Sequence, residues 1–149
     1  MHTRLVDVTL SLDTNAYTAG DVLAATQEVP FAIRDKNGID TLDSLMVIDE
    51  DDQGAAFDLY FFSSNASLGA ENGAPDITDT NIRNILAIIS VATADYKDLG
   101  GAKVAYYRDL GIMLKSAADS YSVYVGAVNG AGTPTYSASG LKLRLGIRH

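Results

Sequence analysis

Cysteine and tryptophan are absent, and the only histidines are His2 and His149. Without thiols there is no disulfide framework and no thiolate nucleophile or ligand. The redox compartment therefore stays unread. A Ser-His-Asp triad needs an imidazole held by packing and by a buried carboxylate, and two terminal histidines are not expected to offer one. No catalytic, cofactor-binding or metal-binding residue is assigned, and the chain is not expected to be an enzyme.

Positive charge is also scarce. Eleven Lys and Arg face nineteen Asp and Glu, giving a net charge of −8. An acidic surface repels phosphate backbones, so nucleic acid is not an expected partner. The few cations cluster in part near the C-terminus, at Lys142, Arg144 and Arg148, where an acidic partner patch could be met. The longest apolar stretch, Ile85 to Ala94, is broken by Ser90 and Thr93 and falls short of the roughly 20 residues of a membrane span. No membrane partner is expected. The start, MHTRLVDVTLSL, has no apolar core before a small-residue cleavage site, so no signal peptide is expected.

What is present points to one all-β domain over residues 1–149. Hydrophobic residues make up 47% and charged residues 20%, with 13 Gly, which lie mostly between apolar runs, as tight turns require. Val6, Val8, Leu10 and Leu12 alternate with polar residues, the period of a half-buried strand. Val22 to Ala25 and Glu28 to Arg34 read as one or two strands, with Pro30 favouring an edge or a bend. Lys36-Asn37-Gly38 is a turn. Further strands are expected at 41–49, 55–62, 104–107, 110–115, 121–128 and 141–147. In the last, Leu141, Leu143 and Leu145 point inward and Lys142 and Arg144 outward. Residues 63–75 read as a long polar loop. One short helix is expected near Thr78, which caps it, with Ile77 and Ile82 as an apolar brace; Ile88, Ile89 and Val91 then favour a strand. Eight or so short strands at regular spacing imply a β-sandwich, jelly-roll-like, or a barrel.

Asp49, Asp51 and Gln53-Gly54 imitate the opening of an EF-hand loop. Its twelfth position would be Tyr60 instead of Glu, and a strand follows where a helix should. The turn is therefore read as an acidic, solvated loop tip, against the alternative of a β-turn calcium site. Paired carboxylates of a glycosidase cannot be picked out by pattern. Gly100-Gly101 and Gly130-Ala131-Gly132 lack phosphate-loop spacing and are turns. Tyr106, Tyr107, Tyr121 and Tyr124 could furnish platforms for sugar stacking. Odd spacing sends each pair to opposite faces of a regular strand, so the alternative is core packing with hydroxyls at the rim.

Three stretches, YTAGDVLAATQEV (17–29), LMVIDEDDQGAAFDLYFFSSNASLG (45–69) and YSASGLKLRLG (136–146), resemble small structural proteins of tailed-bacteriophage virions, in particular capsid decoration or cement proteins. The resemblance implies a virion location on the capsid surface, the major capsid protein as partner, and a symmetric homo-oligomer, a trimer suiting the local three-fold positions of a shell. The alternatives are a tail-associated receptor- or carbohydrate-binding module, and an enzyme using carboxylates. Open sandwiches must cover or pair their edges, and Met1–Leu12 and the C-terminal strand are the expected candidates for pairing with a neighbour.

Overall fold

A computed structural model describes residues 2–149. Two antiparallel sheets enclose one apolar core, the sandwich that the alternating runs imply. The first sheet has the order β1 (Thr3–Thr9), β10 (Leu141–Arg148), β3 (Ile39–Asp49), β7 (Lys103–Tyr107), β6 (Tyr96–Asp98). Strand β8 (Ile112–Lys115) continues beyond β7 along the same flank of β3. The second sheet has the order β2 (Val22–Val29), β9 (Val123–Asn129), β4 (Phe57–Phe62), β5 (Ile85–Val91). Inward residues of both sheets, among them Val8, Leu45, Val47, Leu59, Phe61, Val125, Leu143 and Leu145, form the main core.

Local chemistry explains the boundaries. Strand β2 ends at Val29, and the expected strand to Arg34 is absent because Pro30 cannot donate to the ladder and Phe31 turns to φ 55°. Asn37 takes φ 54° in the expected turn. Helix α1 (Asp79–Ile82) is capped by the Thr78 hydroxyl, which accepts from the Asn81 N–H at 3.1 Å. Its expected apolar brace is split: Ile77 ends a surface segment and packs against a small buried cluster, while Ile82 is 51% exposed.

That segment, residues 63–77, is not a free polar loop. Ala66 and Leu68 are buried with Val22 and Phe62 in a second, smaller core on the outside of the four-stranded sheet. Gly126 leaves room for it, since a Cβ there would stand 2.7 Å from Leu68 Cδ1. One sheet thus has a partly covered outer face, on which Ile88 of β5 stays exposed, while no comparable segment lies over the six-stranded sheet among the described residues.

Tyr17 and Tyr136 are buried edge-to-face, with ring centroids 6.4 Å apart. Burial pushes the Tyr17 phenol up to about 12 and raises Tyr136 further, with Asp49 and Asp51 adding to the latter. Both hydroxyls are raised relative to the unfolded chain. Their contribution to stability is complete below pH 10 and is lost as pH rises through the folded-state values. In an ultraviolet titration these two phenolates should appear only with loss of the fold. Smooth ionisation of all eight tyrosines near pH 10 in the folded protein would contradict this.

Candidate interaction surfaces

Alternation places Leu5, Asp7, Met46, Ile48, Val104, Tyr106, Met113, Lys142, Arg144 and Arg148 on the outer face of the six-stranded sheet. Leu5 is 72% exposed, Met113 69% and Tyr106 57%. The C-terminal cations lie on this face but are not free. Arg148 binds Asp43 at 2.7 Å, Arg144 binds Asp7 at 2.8 Å, and Lys142 pairs with Glu50. Each arginine holds its partner carboxyl below the usual range, chiefly through the side-chain hydrogen bond. The expected basic patch is therefore an array of neutralised pairs set among apolar side chains, a surface suited to flat contact.

Two adjoining depressions mark this face. One, of about 230 Å³, is lined by Leu5, Ser44 and Gly146, among others; the second, of about 570 Å³, lies between Tyr106, Arg108 and Arg148. The first lies where β3 and β10 slip register after Gly146, and the second beside the connection from β7 to β8. A Cβ on Gly146 would stand 2.1 Å from Ser44 Oγ, so a side chain there would fill the first depression.

The acidic turn is not a solvated tip, as the sequence reading had it. Asp49 is fully buried and accepts from the N–H groups of Gly54 at 2.6 Å and Asp51 at 3.1 Å. Asp51 in turn accepts from the Ser137 N–H at 2.7 Å, and the Gln53 side chain accepts from the Thr135 N–H at 3.1 Å. Glu50 N–H donates to Gly140 O at 2.8 Å and Tyr17 N–H to Pro134 O at 3.0 Å. Tyr17, the acidic turn and residues 134–140 thus meet at one end of the sandwich and tie it shut. No group of three or more metal-ligating side chains gathers among the described residues. Asp49 and Asp51 already accept backbone donors, so calcium or a chelator should leave the melting temperature unchanged; a calcium-dependent rise of several degrees would reveal an ion site.

Terminal His149 is anchored where fraying was expected. Its Nδ1 lies 2.6 Å from Asp40 Oδ1, and its N–H donates to His2 O at 2.8 Å. Asp40 is buried and also accepts from the Arg34 N–H at 2.9 Å. No hydroxyl bonds the other ring nitrogen among the described residues, so the carboxylate–imidazole pair lacks the nucleophile of a triad.

The tyrosines divide. Tyr17 and Tyr136 are core, Tyr60, Tyr96, Tyr107 and Tyr124 are half-buried, and Tyr106 and Tyr121 are exposed. Tyr106 and Tyr107 do not share a face, as the parity of β7 requires. Tyr121 instead stacks on Phe31, with centroids 6.3 Å apart and planes 29° apart, and Lys36 Nζ lies 5.7 Å from its ring centre. Phe31 is 71% exposed. Arg4 steadies its left-handed backbone by donating to Phe31 O at 2.9 Å and Ala32 O at 2.7 Å. Sequence reading missed this pair, because the partners are ninety residues apart and join only when the 30–38 turn packs beside the start of β9.

No family model matches the chain, and no curated protein matches it. A solved structure of Desmodium yellow mottle tymovirus is similar over 98% of this chain and 79% of that chain, at 10% identity and a TM-score of 0.32. A likeness that remote carries no argument about role.

Proposed function

We propose that the protein is a non-enzymatic structural component of a bacteriophage virion, a capsid decoration protein that binds the major capsid protein and stabilises the head from its outer surface. The observation that carries the contact is the open outer face of the six-stranded sheet. It presents Tyr106 and Met113 among neutralised ion pairs, while the opposite sheet is partly roofed by residues 63–77. The virion setting comes from the three sequence stretches. Apolar surface flanked by paired charges suits broad association, and aromatic residues commonly dominate such contacts.

Purified protein should bind capsids lacking it and raise their resistance to heat or to loss of packaged DNA. Tyr106→Glu combined with Met113→Glu should abolish that binding and leave the melting temperature within a degree or two, since both side chains are exposed. Full binding by this variant would move the contact elsewhere.

A second reading, a tail-associated receptor- or carbohydrate-binding module, is favoured by the exposed Phe31–Tyr121 pair on its left-handed turn. A bulky residue at positive φ is a strain that functional sites often retain. Glycan binding that is lost in Phe31→Ala, with no retention on capsids, would decide for it.

A further inference from the structure

Strand β10 cannot pair with a neighbour, because β1 and β3 occupy both its edges. Strand β1 can. Leu10 N–H donates to Leu141 O, and His2 O accepts from His149 N–H. The even-numbered residues therefore turn their backbone groups toward β10, and Thr3, Leu5 and Asp7 turn theirs away. Among the described residues no group bonds these three on the free side; Met1 lies outside the described residues. The edge has a definite end: the Gln27 side chain donates to Thr9 O at 2.9 Å and accepts from Ser11 N–H at 3.0 Å.

We propose that β1 pairs antiparallel with β1 of a second copy about a two-fold axis at Leu5, joining the two six-stranded sheets into one. This deepens the virion reading by naming a self-contact, and it stands or falls separately from shell binding. The warrant is self-complementarity. Three unpaired residues lie symmetrically about Leu5, so a two-fold axis there sets Leu5 against its counterpart and each Thr3 against the other copy's Asp7. Every free N–H and C=O of the three is then paired. Leu5, 72% exposed, loses water against an identical side chain, a Thr hydroxyl meets a carboxylate, and no like charges lie directly opposite. A two-fold contact of this kind is isologous and closed.

The other edges fit less well. Strand β6 has three residues and β8 four. Strand β2 is bulged, and its Val22 N–H and C=O already bond Gly73 and Asn72. Strand β5 approaches β8 across the sandwich.

The chain has no cysteine, so single-cysteine variants read the register directly. Leu5 residues facing as a hydrogen-bonded pair would have Cα atoms about 5.5 Å apart, within disulfide reach. Thr9 and its copy would be roughly 27 Å apart along the strands. In sedimentation equilibrium the protein should behave as a dimer, at twice the 15.8 kDa of the chain. Leu5→Lys should be monomeric with unchanged circular dichroism. Leu5→Cys should cross-link on mild oxidation and Thr9→Cys should not. A monomeric or trimeric wild type, a Leu5→Lys dimer, or equal cross-linking at both sites would overturn the pairing. None of these outcomes touches the capsid-retention assay, which judges the shell reading on its own.

Discussion

Deleting residues 140–149 is expected to abolish cooperative folding. Strand β10 is the spine of the larger sheet, hydrogen-bonded along one edge to β1 and along the other to β3. Its inward side chains, Leu141, Leu143, Leu145 and Ile147, are each at most 1% exposed. Without it, β1 has no partner and β3 loses its longest ladder, so the main core opens on one side. Milder versions grade the effect. Leu143→Ala or Leu145→Ala should each cost about 2–5 kcal/mol, the range for a buried leucine that leaves a cavity. At about 2–4 °C per kcal/mol for a chain of this size, each should lower the melting temperature by roughly 5–20 °C. Exposed Met113→Ala should change stability by less than about 0.5 kcal/mol. Thermal scans of the three variants and the deletion settle the matter. A deletion that keeps the full transition would mean β10 is peripheral.

The same strand shows why much of the fold was legible. Leu141-Lys142-Leu143-Arg144-Leu145 writes its two faces directly into the sequence, and Thr78 announces its helix with a side chain that caps locally. What stayed hidden depended on distant partners. Strand β6, Tyr96–Asp98, is too short to show a period and exists because β7 offers it a ladder. Ala66 and Leu68 look like incidental apolar residues in a polar stretch. They become core only because Gly126, some sixty residues later, leaves a flat place for them. The outward positions of β10, Lys142 and Arg144, were readable, but the pairing of Arg144 with Asp7 and of Arg148 with Asp43 needed the strand order.

Asp49 is the residue whose sequence reading was least like its structural role, and its replacement should have the largest effect of any single polar substitution. A carboxylate in a run of acidic residues reads as solvated. Here the backbone of β3 carries it inward, and the turn folds back so that two N–H groups point at its oxygens. Asp49→Ala would leave the buried Gly54 N–H and the half-buried Asp51 N–H without this acceptor, costing about 3–5 kcal/mol at the level of charge-assisted hydrogen bonds. Asp49→Asn keeps one acceptor but turns an amide donor toward the other N–H, so it should recover only part of that loss. The neighbouring clasp gives an independent check. A Cβ on Gly140 would stand 1.7 Å from Asp51 Oδ2, so Gly140→Ala should destabilise by displacing Asp51 from Ser137. In an Asp51→Ala background the nearest obstacle is gone and only the movable Ser137 hydroxyl, 2.7 Å away, remains, so the same Gly140→Ala change should cost much less. Such non-additivity is the mark of residues in contact. If Asp49→Ala melted like the wild type, the turn would be the solvated tip its composition suggests. If the two substitutions at 51 and 140 simply added, the clasp joining the acidic turn to the C-terminal segment would not hold this end of the sandwich.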